Sequence, residues 1–362
     1  MVNESQVYRD LQTHLDKLPI GFPSTKSGVE IRILKHLFTP EEAKLACQLS
    51  MIPEPLDQIY DRFDKSKIAM DGLERALDHM VEKGSIMGME MANRKLYGLI
   101  PFAIGMYEFQ VDRLTKDFAR DAALYIAGEF GDEMRRTRIP QLRTIPVRQS
   151  IAAPERFSVS SYDDVKSIID NVGGHIAVLN CICRQTREVI GGSCAKTDLR
   201  ETCIVLREAA DMFMGWGIGR SINEDEALAI LDKAQEAGLV LQPENTRHPS
   251  YVCCCCGDCC GILTTVKRHP RPAELYATNY YAEIDPELCT GCEVCVSRCQ
   301  LDAIAMANAV AVVDLDRCIG CGNCVAICEF NASQLRKKET EEVPPEHTSD
   351  LYMKIMAKKA GK

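Results

Sequence analysis

Cysteine is concentrated in three parts of this chain, and cysteine thiolates are the ligands that zinc and iron-sulfur clusters prefer. The chain has 19 cysteines in 362 residues. The densest stretch, YVCCCCGDCCGIL at residues 251–263, contains Cys253, Cys254, Cys255, Cys256, Cys259 and Cys260. A reducing compartment keeps cysteines out of structural disulfides, so metal or cluster ligation is the first interpretation.

Two segments further along the chain, CTGCEVCVSRC and CIGCGNCVAIC, share one cysteine spacing with gaps of two, two and three residues. The second begins 29 residues after the first, at Cys318 against Cys289, and the preceding residues IDPELC and VDLDRC also match. This is an internal repeat. Three thiolates two residues apart can hold one iron-sulfur cube from a single loop, and the fourth thiolate reaches the other cube. We expect the fourth cysteine to start a helix.

The repeat therefore predicts two 4Fe-4S clusters with crossed ligand sets. The first cluster takes Cys289, Cys292, Cys295 and Cys328. The second cluster takes Cys318, Cys321, Cys324 and Cys299. Gly291, Gly320 and Gly322 let the backbone approach the clusters and donate N–H groups to their sulfurs. Two zinc sites of four cysteines each are the alternative, but zinc favours paired Cys-x-x-Cys segments joined by a longer loop.

In these motifs the chain resembles the bacterial-type ferredoxins that carry two 4Fe-4S clusters, over about residues 280–335. The resemblance implies transfer of single electrons at low potential. One feature departs from the family pattern: the proline that usually follows the fourth cysteine is replaced by Gln300 and by Glu329. That departure bears on the cluster potential and on local rigidity.

Ten more clustered cysteines lie between residues 181 and 260. They are the six of the dense stretch together with Cys181, Cys183, Cys194 and Cys203. The segment HIAVLNCIC predicts a buried strand that ends with Cys181 and Cys183. Residues from Asp198 to about Met214 predict an amphipathic helix that contains Cys203. A second helix is predicted in SINEDEALAILDKAQEAG, with Ser221 and Glu224 at capping-box spacing.

We favour a further 4Fe-4S cluster among these ten thiols, and three other interpretations stay open. They are a structural zinc site, redox-active dithiols, and a small buried role for Cys203 on its helix. Adjacent cysteines project in different directions, so the six of the dense stretch cannot all serve one cube. Arg184 and Arg187 would stabilise thiolates under every interpretation, so the ligand subset stays open.

The N-terminal half predicts helices followed by a hairpin. FTPEEAKLACQLS begins with Thr39 as cap, Pro40 at the first helical position and Glu42 at the third. EPLDQIYDRF and DGLERALDHMVEKG predict two more helices, and SIMGMEMANRKLYGLI predicts two strands around a turn. This order resembles a winged-helix domain over about residues 30–100. The third helix has four acidic residues against two basic ones, so we expect docking or homodimer formation and do not expect DNA binding.

The composition, with 46% hydrophobic and 26% charged residues, is typical of a soluble globular protein. The N-terminal residues carry no secretory signal, and the longest apolar run, LYGLIPFAIGMY, is too short to span a membrane, so we predict a cytoplasmic protein. The net charge is −9, and residues 280–335 hold eight acidic residues against two basic ones. This acidic surface predicts a redox partner protein with a basic docking surface.

The predicted fold class is α+β with three domains and a tail. Residues 1–150 form a winged-helix-like helical domain, 151–265 a cysteine-rich α/β domain, 266–335 a two-cluster ferredoxin-like domain, and 336–362 the tail. The predicted function is iron-sulfur electron transfer, as a large ferredoxin or the iron-sulfur subunit of an anaerobic oxidoreductase, with a further iron-sulfur cluster or zinc. A redox-sensing winged-helix transcription regulator and a complete enzyme that reduces substrate at the middle cysteines are the alternatives. No residue is singled out as catalytic.

Overall fold

A computed structural model of the chain describes residues 4–151 and 158–361 and contains both helices and strands. By their internal contacts the residues form two units. One comprises Met1–Met134 with Val189–Gly191, and the other comprises Arg135–Glu188 with Gly192–Lys362. The second unit contains every cysteine of the three clusters described above.

Short helices and short strands make up both units. In chain order, the helices are α1 (Glu4–Leu15), α2 (Val29–Leu37), α3 (Pro40–Ala46), α4 (Leu56–Tyr60), α5 (Met70–Glu82), α6 (Lys116–Ala127), α7 (Glu129–Arg136), α8 (Arg148–Ile151), α9 (Val165–Asp170), α10 (Ile182–Val189), α11 (Arg207–Gly215), α12 (Glu224–Glu236), α13 (Gly261–Lys267), α14 (Val294–Arg298), α15 (Asn323–Ala326) and α16 (Thr348–Lys359). The strands are β1 (Glu54–Pro55), β2 (Met87–Met91), β3 (Arg94–Gly98), β4 (Ile176–Asn180), β5 (Glu201–Leu206), β6 (Arg220–Ser221), β7 (Val240–Pro243), β8 (Tyr251–Cys255), β9 (Tyr280–Ile284), β10 (Ile304–Ala307), β11 (Val310–Val313) and β12 (Ser333–Lys337).

The first unit contains the helices and the hairpin that the sequence predicts. Helix α3 has the predicted capping box, because the Thr39 hydroxyl accepts from the N–H of Glu42 and the Glu42 carboxylate accepts from the N–H of Thr39. Strands β2 and β3 form an antiparallel hairpin, and its two turn residues, Ala92 and Asn93, have φ of 51° and 58°. Strand β1 pairs with β3, so the sheet order is β1-β3-β2.

The second unit is organised around a five-stranded sheet with the order β6-β4-β5-β8-β7. Every pair in this sheet is antiparallel, whereas we predicted an α/β domain for this part of the chain. One face, here called the helical face, packs against buried residues of α9 and α12. The opposite face, here called the cluster face, packs against α13 and against Leu301 and Ile319 of the C-terminal motifs. The sheet therefore separates two buried cores.

Three local predictions in this unit are wrong. Cys203 does not lie on a helix: it belongs to β5, and α11 begins only at Arg207. The β-branched residues around Cys203 favour a strand that pairs on both sides, with β4 and with β8. The predicted strand ends at Asn180, so Cys183 lies on α10. Asn223, and not Ser221, caps α12, because its side chain accepts from the N–H of Glu226 over 2.8 Å.

The repeated motifs lie between two short antiparallel strand pairs, β9 with β12 and β10 with β11. Contrary to our prediction, the fourth cysteine of each motif does not start a helix. Cys299 directly follows α14, and Cys328 lies just beyond α15. Each helix instead starts after a left-handed residue, Glu293 or Gly322, with φ of 62° and 74°, so the third cysteine lies within the helix. In residues 4–151 and 158–361, no helix combines the length and the apolar character needed to cross a membrane.

Candidate metal centres

A cavity of about 390 Å³, which includes its open mouth, is lined by four cysteines of the repeated motifs. They are Cys289, Cys292, Cys295 and Cys328. Three come from the first motif and the last from the second. Cys292 is exposed, and apolar side chains of Val294 and Phe330, which are 43% and 47% exposed, stand beside it. This first cavity therefore faces the surface of the unit.

A second cavity of similar size, about 390 Å³, has the reciprocal composition. Its cysteines are Cys299, Cys318, Cys321 and Cys324. Here three come from the second motif and one from the first. Its wall includes Gln300, Ile319 and Asn323, which are all buried. The second cavity thus lies deeper than the first, and the structure brings together the two quartets that the spacing predicts.

Backbone N–H groups point at the sulfurs of both quartets. In the first cavity, the N–H of Ala311 lies 3.5 Å from Cys289 Sγ and the N–H of Ser333 lies 3.4 Å from Cys328 Sγ. In the second cavity, Ala282 and Ala303 donate to Cys318 and Cys299 over 3.4 and 3.2 Å. Such donors stabilise negative charge on thiolates and tune cluster potentials.

Glycine is required where the second motif turns. Gly320 has φ of +66°, and a Cβ there would lie 2.2 Å from the carbonyl oxygen of Tyr280. Gly322 has φ of +74°, and a Cβ there would lie 2.1 Å from Ser150 Oγ. The loop of the second motif therefore packs closely against Tyr280 and Ser150, and a side chain at either glycine would displace the loop.

Burial disfavours free thiolates in the second cavity. It raises the pKa of Cys321 to about 12 and that of Cys324 well above its ordinary value. A bound cationic centre would supply the positive charge that keeps such buried thiols deprotonated. The donor types and the converging amides fit 4Fe-4S clusters.

The dense cysteine stretch is divided by the alternation of strand β8. Successive side chains of a strand point to opposite faces, so Cys253 and Cys255 lie on the cluster face while Cys254 lies on the helical face. Cys254 is buried in the apolar core of the helical face. Cys256, which follows the strand, belongs to that same core. The ten middle cysteines consequently form two groups and one isolated residue.

The larger group is a chain of six hydrogen-bonded thiols, here called the six-thiol group. Its members, in order of contact, are Cys181, Cys183, Cys260, Cys255, Cys253 and Cys203. Cys203 lies directly opposite Cys253 in the pairing of β5 with β8. The hydrogen bond from Cys183 lowers the pKa of Cys260 to about 6. The thiols come from β5, from β8, from the start of α10 with the residue before it, and from the residue that caps α13.

The six-thiol group shares a core with the second cavity. Cys255 and Cys260 pack with Leu301 and Ile319, and Cys318 and Cys321 contact the same cluster. Both groups of sulfur ligands therefore border the same apolar core.

Arg184 is a fully buried cation beside these thiols, with no exposed surface. Its guanidinium donates to the carbonyl of Cys254 over 2.8 Å and to the hydroxyl of Thr202 over 2.5 Å. Burial opposes its charge, yet the nearby thiols, led by Cys181 and Cys256, raise its pKa above the ordinary value. A buried cation of this kind is stable only near negative charge. Arg184 therefore favours an anionic state of the surrounding thiols.

The smaller group, here called the Cys3Asp group, combines three predicted cysteines with an aspartate. Its members are Cys194, Cys256, Asp258 and Cys259, and their ligand atoms all lie within 4.8 Å of one another. Our reading of the sequence missed Asp258. Its position between cysteines in CGDCC was the available signal, since a carboxylate is also a metal ligand.

Comparison with known protein families identifies one region of the chain. A family model described as a 4Fe-4S dicluster domain matches residues 281–329, which include all eight cysteines of the two cavities. This stretch is a ferredoxin-like iron-sulfur region, and together with the cysteine-rich site it suggests iron-sulfur electron transfer. No curated protein and no solved structure matches the chain.

Proposed function

We propose that the protein is an iron-sulfur electron carrier, either a large ferredoxin or the iron-sulfur subunit of an anaerobic oxidoreductase. It passes single electrons through two C-terminal 4Fe-4S clusters and a further metal centre. The observation that carries this proposal is the crossing of the quartets, because each cavity takes three thiols from one motif and one from the other. Two cubes held by tandem motifs need that crossing, whereas separate zinc sites do not.

The surroundings of the two cavities support a direction for the electron path. The first cavity lies beside exposed apolar residues, and the acidic Glu293 and Glu329 are exposed nearby. A redox partner with a basic surface would dock there. The second cavity has no exposed cysteine, and buried side chains of Gln300, Ile319 and Asn323 form part of its wall. Electrons would then move inward, toward the cysteine-rich part.

The six-thiol group is the proposed further centre, and an iron-sulfur cluster is the proposed occupant. When bound, such a cluster supplies a third one-electron site. The shared core with Leu301 and Ile319 keeps this site close to the second cavity. Arg184 supplies a buried positive charge that offsets the negative charge of the thiolates. Six thiols exceed the four that a cubane needs, so two remain for structure or for an open coordination position.

The proposal also assigns the parts of the chain. Residues 266–335 carry the two clusters, residues 151–265 hold the further centre, residues 1–150 dock a partner or form a homodimer, and residues 336–362 are a tail. We place the protein in the cytoplasm, where thiols stay reduced.

A redox-sensing winged-helix regulator is the second candidate. The sheet order β1-β3-β2, with α4 and α5 between β1 and β2, favours it. The charges argue against it, because Lys95 near the turn is paired with Glu74 and Asp78 of α5 over 3.0 and 2.8 Å. A helix with this acidic surface would be repelled by phosphate.

Iron and acid-labile sulfide per chain, measured on protein purified without oxygen, test the electron-carrier proposal. We expect about twelve irons per chain, since two cubes account for about eight and the six-thiol group for the rest. Colourless protein that carries zinc and no iron would overturn the proposal. A value of about eight would retain the two clusters and reject the further iron-sulfur centre.

Paired variants test the crossing directly. Cys328→Ala lies in the second motif but belongs to the first cavity, as does Cys292→Ala. We therefore expect these two variants to lose the same component of the paramagnetic resonance spectrum of the reduced protein. Cys321→Ala should lose the other component. Cys47→Ala is the control, because Cys47 lies in the first unit, far in sequence from both motifs. It should change neither spectral component. If Cys328→Ala and Cys321→Ala lost the same spectral component, the crossed arrangement would be contradicted.

A further inference from the structure

The Cys3Asp group is built from two segments that are far apart in sequence. Cys194 lies in the loop between α10 and β5, whereas the other three ligands lie in the turn between β8 and α13. Cys194 Sγ is 3.7 Å from Cys256 Sγ and 3.5 Å from Asp258 Oδ1. Cys256 is 1% exposed, and the others are half-buried. The four ligand atoms therefore lie close together in a partly buried position.

These distances match one tetrahedral ion. Two thiolates bound at about 2.3 Å to a single tetrahedral zinc ion lie about 3.8 Å apart. The Cys194 to Cys256 separation of 3.7 Å agrees with that value. The four thiolates of a cubane bind four different irons and must be more widely spread than ligands that converge on one ion. The Cys3Asp group thus differs in kind from both cavities.

The aspartate is already oriented for coordination. Its Oδ2 accepts the N–H of Ala195 over 2.7 Å, which leaves Oδ1 directed toward Cys194. A hydrogen bond to the outer oxygen of a ligating carboxylate is a common feature of metal sites. The same bond joins the two segments, so Asp258 holds the loop of Cys194 against the turn.

The group is also separate from the six-thiol group. Cys256 and Cys259 belong to the core of the helical face, whereas Cys255 and Cys260 belong to the core of the cluster face. One short stretch of chain thereby supplies ligands to two different sites.

We propose that Cys194, Cys256, Asp258 and Cys259 bind one zinc ion, which fixes the cysteine-rich turn to the loop after α10. Three thiolates and a carboxylate give a closed tetrahedral set, as is typical of structural zinc sites, and thiolate-rich sets favour zinc among the divalent ions. Zinc has no redox chemistry, so the role of this ion is to hold the turn. The proposed electron path lies on the cluster face of the sheet. The inference does not depend on the electron-transfer proposal.

Zinc analysis of the full chain, purified without oxygen, tests the site. We expect about one zinc per chain, with an X-ray absorption spectrum at the zinc edge that fits three sulfurs and one oxygen. Cys194→Ala should lower the affinity for zinc, measured by competition with a chelator, at least tenfold and leave iron and acid-labile sulfide unchanged. Cys254→Ala, in the same core but outside the group, is the matched control and should keep its zinc.

Two results would overturn the proposal. They are the absence of zinc from wild-type protein, and the loss of iron in place of zinc from Cys194→Ala. Asp258→Ala is the second variant, in case Cys194→Ala fails to fold. It should weaken zinc binding, measured by competition with a chelator, and a zinc affinity equal to that of the wild-type protein would exclude the carboxylate as a ligand. Iron content reports on the two clusters independently, so failure of either proposal is recognisable.

Discussion

The main-chain N–H of Gly257 donates to the side-chain oxygen of Gln300 over 2.8 Å, and the Gln300 amide donates to the carbonyl of Gly238 over 2.9 Å. Gln300 directly follows the fourth cysteine of the first motif, the position of the departure from the ferredoxin pattern noted above. A Cβ at Gly257 would lie 2.3 Å from the carbonyl oxygen of Gln300, so the two segments are in close contact. The unusual residue thus connects the first motif to the cysteine-rich turn.

Gln300→Ala should destabilise this connection. It leaves the N–H of Gly257 without its partner and removes one of the two donors to the carbonyl of Gly238, which keeps the Asn323 amide. The loss should cost about 1 kcal/mol in free energy of unfolding. Urea denaturation of the metal-replete protein measures the loss. Glu329→Ala, at the equivalent exposed position of the second motif, is the control and should change stability by less than about 0.5 kcal/mol. Equal effects from the two variants would contradict the structural role of Gln300.

Neighbouring cysteines in β8 should behave differently. Cys255→Ala removes a member of the six-thiol group, so we expect iron per chain to fall while the eight irons of the two cavities are retained. Cys254→Ala removes a sulfur from the apolar core on the other face, so iron should stay constant and stability should fall by about 1 kcal/mol. Iron analysis and urea denaturation of both variants give the answer. Iron loss from Cys254→Ala would mean that the strand alternation does not divide the thiols.

Arg184→Met should affect the six-thiol group through charge. Removal of the buried cation leaves the thiolates without compensation, so the potential of the associated centre becomes more negative and stability falls by about 3 kcal/mol. A redox titration followed by absorbance measures the first effect, and urea denaturation measures the second. Arg187→Met is the control, because that side chain is exposed on the same helix. An unchanged potential in Arg184→Met would argue against an anionic centre.

Glu244 should give stability a dependence on pH. Its side chain is 2% exposed, and burial raises its pKa above the ordinary value of 4.5, although the N–H of Ser250 donates to it. Because the pKa of Glu244 is higher in the folded protein than in the unfolded chain, the unfolded chain releases this proton first as pH rises. The contribution to stability is therefore present at low pH and is lost as pH rises toward the folded pKa. Glu244→Gln removes this titration, so its stability should fall less than that of the wild type as pH rises above about 4.5. A parallel profile for variant and wild type would count against this assignment.

Duplex DNA should not bind the first unit at low salt. Lys95 is already paired with Glu74 and Asp78, and Arg94 is paired with Asp57 over 2.7 Å. A mobility-shift measurement with generic duplex DNA, on the full protein, checks this expectation. Salt-sensitive binding that Lys95→Ala abolishes would revive the regulator hypothesis.

The cysteine repeat carried more information than any other part of the sequence. Its spacing alone anticipates which thiols meet in each cavity, because a cysteine three residues beyond a tight triplet cannot turn back onto the same cube. The capping box at Thr39 and the hairpin through Asn93 were likewise readable, since both depend on residues close together in sequence.

The middle cysteines could not be grouped from sequence, because their grouping depends on the sheet. Cys203 meets Cys253 only because β5 pairs with β8, and nothing local signals that pairing. The helical periodicity around Cys203 was misleading, since the strand is stabilised by neighbours on both sides. Asp258 was overlooked because its partner Cys194 lies in a distant loop.

The crossed quartets also constrain how the protein matures. Neither cavity has four thiols until the second motif has been synthesised, since the second cavity is complete only at Cys324 and the first only at Cys328. A nascent chain that ends between the motifs has three thiols of the first cavity and one of the second. Under the proposed function, cluster insertion therefore follows translation of both motifs, and a product truncated between the motifs would lack both complete sites.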